Sequence, residues 1–122
     1  MTPSEIISQD IQAHGHNPER VLRWVAGHVH RHNAILLQHG DSVLFIKKIA
    51  PHQVELHLFT RDKPLALVGA IKDFYEKIKA SDIKKMYGKA DNPQIVQLMK
   101  TAGVKVQNSD KPQYNWMGVV KE

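Results

Sequence analysis

The chain has 122 residues, a formal net charge of +5 and no cysteine, and 42% of its residues are hydrophobic. This length favours one domain with a modest core, and the lack of cysteine excludes disulfides and thiolate metal sites. No apolar run approaches the roughly 20 residues of a membrane helix, and the polar start does not resemble a signal peptide. The positive charge suits an anionic ligand such as a nucleotide, whereas the scarcity of aromatic residues disfavours nucleic acid as a partner.

The first third of the chain predicts two helices. A capping-box pattern from Thr2 to Glu5 starts the first helix, and residues 1–16 are interpreted as an N-terminal helical extension of the domain. Asn17 followed by proline starts the second helix, in which apolar residues at helical spacing continue to about His30.

The next segment predicts three strands. Apolar runs at 34–38 and 43–46 flank a turn and predict a hairpin, and residues 54–60 alternate strictly between two faces. The alternation places Val54, Leu56 and Leu58 on one face and Glu55, His57 and Phe59 on the other. A carboxylate and an imidazole on one face of a strand mark it as a candidate site.

The rest of the chain predicts two helices and three strands. A long helix capped by Thr60 or Asp62 runs to about Ala80, and a second helix begins at Asn92 and stops at Gly103. Strands are predicted at 83–88, 104–107 and 114–120. The order α-α-β-β-β-α-β-α-β-β indicates an α/β or α+β fold, with a mixed sheet covered by helices in a single domain over residues 1–122.

This order resembles the Gcn5-related N-acetyltransferase (GNAT) fold, with a central, mostly antiparallel sheet flanked by helices. The last helix of that family typically begins with Asn, carries Tyr seven residues later and Gly eleven residues later. Asn92 and Gly103 match this pattern, while Met99 stands at the tyrosine position and Val104 replaces a phenylalanine that follows the glycine. The ends of the helix therefore match the family and its middle does not.

The family's pyrophosphate loop has the pattern Arg/Gln-x-x-Gly-x-Gly/Ala. Arg61 and Ala66 match this pattern, whereas Pro64 occupies the place of the middle glycine. Two sequence segments, VELHLFTRDKP at residues 54–64 and NPQIVQLMKTAGV at residues 92–104, also resemble small GNAT-like proteins encoded by tailed bacteriophages. That resemblance implies a cytoplasmic location, in the host if the chain is phage-encoded, and a virion or host protein as an alternative partner.

The resemblance implies one of two functions. The first is an acetyl-CoA-dependent N-acetyltransferase, and the second is a catalytically degenerate GNAT-fold protein with a virion-structural or host-interaction role. For the enzyme, the implied catalytic residues are Glu55, His57 and Tyr87, and the implied cofactor-binding residues are Phe59, Arg61, Lys63, Ala66, Asn92 and Met99. The last helix alone thus supports the fold and argues against the chemistry that the family usually performs there.

Each of these assignments has a structural alternative. Glu55 can form a cross-strand pair with a lysine, Pro64 can simply open a helix, and Met99 and Tyr87 can be packing residues. His28 and His32 lie four apart on a predicted helix, but no nearby carboxylate completes a metal site, so no metal is expected.

Overall fold

The computed structural model describes residues 1–90 and 92–121 of the chain. Within them, four helices and six strands follow one another in the predicted order. Their bounds are α1 Pro3–Ala13, α2 Pro18–His30, β1 Ala34–His39, β2 Ser42–Ala50, β3 Gln53–Thr60, α3 Pro64–Lys79, β4 Lys85–Gly88, α4 Pro93–Thr101, β5 Gln107–Asn108 and β6 Trp116–Val119. None of the helices in these residues is long and apolar enough to cross a membrane.

Side-chain caps fix where α1, α2 and α4 begin, as predicted. The Thr2 hydroxyl accepts a hydrogen bond from the Glu5 N–H, and the Glu5 carboxylate accepts one from the Thr2 N–H. Asn17 and Asn92 each accept a hydrogen bond from the N–H two residues later. These contacts satisfy amides that have no partner inside the helix. Gly103 follows α4 with a φ of +89°, which confirms the predicted stop.

The predicted cap of α3 is wrong. Lys63 occupies the N-cap position and makes no side-chain cap hydrogen bond, so neither Thr60 nor Asp62 caps this helix. The Asp62 carboxylate instead accepts hydrogen bonds from the Asp41 N–H at 3.1 Å and the Ser42 hydroxyl at 2.6 Å. It therefore ties the end of β3 to the turn between β1 and β2, and α3 begins without a side-chain cap.

The six strands form one mixed sheet in the order β1-β2-β3-β4-β6-β5. β3 and β4 are parallel, whereas the other neighbouring strands are antiparallel. A parallel pair needs a crossover connection, which α3 provides. This mostly antiparallel sheet flanked by helices confirms the predicted fold class.

The last strands are shorter than predicted. β4 begins later than residue 83 because the Ile83 N–H donates to the Ser81 hydroxyl in the preceding turn. The segment predicted as a strand at 104–107 contributes only its final residue to β5, because the Val104 N–H donates to the Met99 carbonyl and completes the end of α4. β6 occupies only the middle of the predicted 114–120 segment.

Helices cover both faces of the sheet and bury two hydrophobic clusters. α3 and α4 pack on the face that carries Val54 and Met86, and α1 and α2 pack on the face that carries Phe45 and Phe59. The predicted alternation of β3 is therefore confirmed. We call the side of β3 with Val54, Leu56 and Leu58 the apolar side, and the side with Glu55, His57 and Phe59 the polar side.

Candidate active site

β3 and β4 separate after a short parallel pairing. The paired residues are Gln53 with Lys85, Val54 with Met86 and Glu55 with Tyr87. β3 then continues to Thr60, whereas β4 ends at Gly88. Alternate peptide groups of residues 56–60 therefore turn toward an open gap instead of a neighbouring strand. The divergence of the two strands opens a cleft at the middle of the sheet.

This cleft contains a cavity of about 450 Å³. Both sides of β3 line it, with Leu56 and Leu58 from the apolar side and His57 and Phe59 from the polar side. Consecutive residues of a strand point to opposite faces, so the cavity reaches both faces of the sheet at this edge of β3. Most of the remaining lining is apolar, and α3 contributes Ile71, Phe74, Tyr75 and Ile78 to it.

A hydrogen-bonded cluster lies on the polar side, around the Glu55 carboxylate. His57 Nε2 lies 2.6 Å from Glu55 Oε2, and the Tyr114 hydroxyl donates to Glu55 Oε1 at 2.9 Å. Lys47 lies opposite Glu55 on β2, with its Nζ 3.6 Å from Glu55 Oε1. Glu55 therefore forms the cross-strand pair with a lysine that was the structural alternative to a catalytic role. It also forms a hydrogen bond with the His57 imidazole.

Glu55 remains ionised in this cluster. Burial alone would raise the pKa of its carboxyl, but the hydrogen bonds from His57 and Tyr114 and the nearby charges of His57 and Lys47 outweigh burial and lower the pKa below its ordinary value. Because a carboxylate only accepts hydrogen bonds, His57 Nε2 must carry the proton that it shares with Glu55. In the neutral form of the imidazole, His57 Nδ1 is then the nitrogen with the free lone pair.

Two aromatic side chains also pack against the His57 ring. The Trp24 ring meets it edge to face with centroids 5.1 Å apart, and the Phe45 ring lies 5.8 Å away. The His57 side chain nevertheless stays 40% exposed, and it lines the cavity. The cluster therefore presents a fixed and accessible imidazole to the cleft.

The two tyrosines near Glu55 hold their protons tightly. Burial is the largest cause that raises the pKa of Tyr114 to about 12, and the hydrogen bond to Glu55 adds to it. Burial also raises the pKa of Tyr87 to about 12, with the nearby Asp110 carboxylate acting in the same direction. The Tyr87 hydroxyl is buried. Among the described residues it makes no hydrogen bond of normal geometry, not even with the Asp110 carboxylate. Neither phenol is a ready proton donor at neutral pH.

The residues predicted to hold the pyrophosphate lie around the start of α3. Arg61, Lys63 and Ala66 are exposed and do not line the cavity. The first turn of α3 contains no acidic residue, so the positive end of the helix dipole and two cations face solvent together. Pro64 lacks an N–H and removes one donor from this turn. The helix start can attract an anion, with fewer amide donors than a glycine loop offers.

The other predicted cofactor residues lie inside the cleft. Phe59, Asn92 and Met99 all line the cavity. The Asn92 side-chain oxygen is engaged as the cap of α4, and Met99 is 8% exposed within the larger hydrophobic cluster. Met99 has no dissociable proton, so at the family's tyrosine position it supplies an apolar wall.

In the part of the chain that the structure describes, no group of three or more His, Asp or Glu side chains is placed to hold a metal ion. The densest histidine segment ends α2. There, His28 Nδ1 lies 3.1 Å from the Asn33 side-chain oxygen, which gives this imidazole a role at the helix end.

The structure brings Glu55, His57 and Tyr87 to one side of the sheet and keeps Arg61, Lys63 and Ala66 apart from them. Sequence reasoning did not identify Tyr114, which contacts Glu55 from 59 positions away, or the cavity residue Asp10. A signal for Asp10 was present. It lies three and four residues after the buried Ile7 and Ile6, so it lies on the buried stripe of α1.

No protein family model and no curated protein matches the sequence. Solved structures do match the fold. The chain is similar to an IAA acetyltransferase from Bacillus cereus (TM-score 0.59, 10% identity, covering 97% of this chain and 92% of that one). It is also similar to Tetrahymena GCN5 (TM-score 0.58, 11% identity, 93% and 81% covered). A third similar structure is a Bacillus subtilis acetyltransferase in complex with CoA (TM-score 0.50, 13% identity, 72% and 78% covered).

These similarities establish the fold and confirm that the chain has the GNAT architecture. At such low identity they carry no residue assignments.

Proposed function

We propose that this protein is an acetyl-CoA-dependent N-acetyltransferase that acts at the cleft between β3 and β4. The observation that carries the proposal is the Glu55–His57 pair. It holds an accessible imidazole on the wall of a cavity that lies where two parallel strands of a GNAT fold separate. A fixed imidazole with a free nitrogen is the group most often used as a general base at neutral pH.

The cleft offers suitable surfaces for coenzyme A. The unpaired peptide groups of residues 56–60 can hydrogen-bond an extended amide-containing arm, and Phe59 and Met99 can pack against it. The exposed Arg61 and Lys63 beside the start of α3 can bind phosphate, as can the free N–H groups in the turn that contains Ala66. Asn92 lines the same cavity on the α4 side.

We assign the general base to His57 and a positioning role to Glu55. Bound acetyl-CoA would supply a thioester carbonyl to an amine, with a C–N bond forming and a C–S bond breaking. His57 Nδ1 accepts the proton that the amine loses, and the ionised Glu55 stabilises the resulting imidazolium through its 2.6 Å contact with Nε2. Glu55 itself is a weaker candidate, because its lowered pKa makes it a poor base.

The same imidazole can return the proton to the leaving thiolate. An imidazolium is a much stronger acid than a phenol. Tyr114 and Tyr87 both have a pKa of about 12 and do not line the cavity, and Met99 carries no proton. We therefore assign Tyr114 to holding Glu55, and Tyr87 to packing beside it.

Cofactor binding is the first test of this proposal. Acetyl-CoA should raise the melting temperature and give a saturable calorimetric isotherm, because a ligand at 100 times its Kd stabilises the native state by about 2.7 kcal/mol. Arg61→Ala should weaken binding, and Lys48→Ala, which removes an exposed cation of β2, is the matched control. No shift at millimolar acetyl-CoA would remove the enzyme assignment.

Turnover is the second test, measured as thiol release from acetyl-CoA in the presence of a panel of primary amines. His57→Gln should lower kcat by roughly 100- to 10,000-fold while cofactor binding persists. His30→Gln, at an exposed histidine of α2, is the control. Glu55→Gln should lower kcat less than His57→Gln, because the imidazolium loses its counter-charge but the base remains. Unchanged turnover in His57→Gln would exclude it as base.

A non-catalytic GNAT-fold protein is the second candidate function. Pro64 and Met99 favour it, because they replace an amide-donating glycine and a proton-donating tyrosine of the family pattern. A virion-structural or host-interaction role, with a phage origin and a cytoplasmic location in the host, remains the prediction for that case. A folded protein that binds no acetyl-CoA would favour this candidate.

A further inference from the structure

We infer that β1 is the contact surface of a symmetric homodimer, in which the β1 strands of two copies pair antiparallel and join their sheets into one. The partner is therefore a second copy of this chain. The contact surface is the outer edge of residues 34–38, which we call the β1 edge. The inference goes beyond the proposed acetyl transfer and does not depend on it.

The β1 edge carries unpaired peptide groups. β1 ends the strand order of the sheet, so only its other edge has a neighbour, which is β2. The Lys48 N–H donates to the Asn33 carbonyl, which identifies Asn33 and every second residue after it as the ones that bond to β2. The intervening residues, Ala34, Leu36 and Gln38, therefore direct their N–H and C=O groups outward, and no other main-chain group of the described residues bonds to them. Such a row of groups is a template for another strand.

The side chains of the β1 edge are apolar for a free strand edge. Ile35 is 56% exposed, and it is the only exposed large hydrophobic residue in the described strands. Residues 34–38 contain no charge, no proline and no bulge. These are the features by which monomeric proteins normally keep a strand edge from pairing. The β1 edge therefore has the character of a surface that a partner covers.

The opposite edge of the sheet is protected. β5 ends the sheet there with two polar and exposed residues, Gln107 and Asn108. A strand so short and polar offers little to a partner. Because the described strands leave only the β1 edge open, pairing through it gives a closed dimer, whereas two open edges would give a growing sheet.

The β1 sequence is complementary to itself when a two-fold axis passes through Leu36. Ala34 then pairs with Gln38 of the partner subunit, and Leu36 pairs with its own counterpart, each pair exchanging N–H···O hydrogen bonds. The same register places Ile35 opposite Leu37 of the partner subunit, at the close spacing of a non-hydrogen-bonded pair. Leu37 packs against the larger hydrophobic cluster, so the pairing extends this cluster across the interface and buries Ile35.

Charge also favours the β1 edge for contact between identical copies. The chain carries a net charge of +5, so two copies repel each other wherever their basic surfaces meet. Residues 34–38 are uncharged, and the two-fold axis brings this segment against itself. The symmetric register gives every outward peptide group a counterpart, so a second copy satisfies the β1 edge without a further protein.

The oligomeric state is the first test. Sedimentation velocity at about 1 to 100 μM, a range that spans micromolar dissociation constants, should give twice the mass of the chain for wild type. Ile35→Lys should sediment as a monomer, because a lysine at this position brings a like charge from each copy into the contact. The matched control is Leu65→Lys, which changes a leucine that is 87% exposed on α3 and should leave the dimer intact. A monomeric wild type, or a dimer that persists in Ile35→Lys, overturns the inference.

A second pair of variants tests the main-chain pairing. Gln38→Pro removes one outward N–H and no hydrogen bond to β2, so the fold should persist while the dimer dissociates. Gln38→Ala loses the same side-chain contacts, to the Met1 and Gly40 carbonyls, but keeps the N–H and should remain a dimer. Circular dichroism checks that both variants are folded. Equal dimerisation of the two folded variants contradicts pairing through the β1 edge.

Amide hydrogen exchange of the wild-type protein decides the matter without any variant. The amides of Ile35 and Leu37 face β2 and should exchange slowly in any folded state. The outward amides of Ala34, Leu36 and Gln38 should be equally slow in the dimer. Fast exchange of these outward amides at the concentrations used for NMR overturns the inference. No acetyl-CoA is needed, so the result is independent of whether the protein is an acetyltransferase.

Discussion

The two sides of β3 differ in what their side chains do. On the apolar side, Val54, Leu56 and Leu58 contribute to the cluster beneath α3 and α4. On the polar side, the neighbouring residues Glu55 and His57 form a charged hydrogen-bonded pair that Tyr114 completes. One strand thus supplies a packing surface and a reactive group at adjacent positions.

In the proposed enzyme, this difference separates the residues that stabilise the fold from those that carry the chemistry. Val54, Leu56 and Leu58 should affect the free energy of unfolding, whereas Glu55 and His57 should affect turnover more than folding. The cavity joins the two sides at the open edge of β3, so substitutions near that edge test the separation most severely.

The largest effect on stability is expected from Phe74→Ala on the apolar side. Phe74 is 3% exposed on α3, and truncation of a buried phenylalanine costs about 3–5 kcal/mol. Urea unfolding followed by circular dichroism measures this loss. Lys72→Ala, at an exposed position of the same helix, should stay within about 0.5 kcal/mol of wild type. A loss below about 1 kcal/mol for Phe74→Ala would mean that this side is loosely packed.

The fold was predictable because local patterns determine it. The capping box at Thr2, the asparagine caps and the alternation along β3 each act over a few residues, and each occurs in the structure as predicted. The cap of α3 was not predictable in the same way. The Asp62 carboxylate can accept hydrogen bonds either from N–H groups at the start of α3 or from donors in the β1–β2 turn. The contact that forms is the one with the Ser42 hydroxyl in that turn.

The candidate site was only partly predictable. Glu55 and His57 share a face by simple alternation, so their pairing follows from the sequence. Tyr114 reaches Glu55 only because β6 lies beside β4, a sheet order that local patterns do not specify. Asp10 lies on a buried stripe, but the cavity that it lines forms from α1, β3 and α4 together. Contacts that depend on strand order require the three-dimensional structure.

Crowding at the cleft provides the second prediction. A Cβ added at Gly88 would lie 2.3 Å from atoms of the Trp116 indole, a rigid ring on the cavity wall. Gly88→Ala should therefore cost about 1–3 kcal/mol and alter tryptophan fluorescence. Gly118→Ala is the matched variant, because its closest contact is the flexible end of Met86 at 2.5 Å. It should cost less, and the opposite ranking would contradict the assigned packing.

The third prediction compares the two tyrosines on the polar side, whose rings lie 5.4 Å apart. Tyr114→Phe removes a hydrogen bond to the Glu55 carboxylate and should cost about 1.5 kcal/mol. Tyr87→Phe removes a buried hydroxyl that has no partner among the described residues, so it should be neutral or stabilising. Chemical denaturation at pH 7 ranks the two variants by their free energy of unfolding. A larger loss of stability in Tyr87→Phe than in Tyr114→Phe would show that the Tyr87 hydroxyl has a partner.

The same tyrosines predict behaviour at alkaline pH. Both have a folded-state pKa of about 12 against an ordinary value of 10.0, so the folded protein holds these protons more tightly than the unfolded chain. The two protonated tyrosines therefore contribute to the free energy of unfolding, and this contribution is fully present below about pH 10 and is lost as pH rises toward about 12. Melting temperatures from pH 8 to 12 should therefore fall less steeply in Tyr114→Phe than in wild type, and equal slopes would contradict the assignment.

A small stabilising effect is expected from Asp10→Asn. The raised pKa of Asp10 means that the folded state favours the protonated carboxyl, so the ionised form destabilises the protein above that pKa. Asparagine carries no charge and should raise the stability at pH 7 by about 1 kcal/mol. The gain should vanish at a pH well below 3.8, where the aspartate is protonated in both folded and unfolded states. Thermal melts of both proteins from pH 3 to 7 measure the difference, in which the titrating groups that do not interact with Asp10 cancel.

A stability gain in Asp10→Asn would show that the polar side keeps a carboxylate that reduces the stability of the fold. Residues kept for binding often reduce stability, because a group arranged for a ligand is unsatisfied without one. A variant that is less stable than wild type at pH 7 would instead show that Asp10 is a structural acceptor.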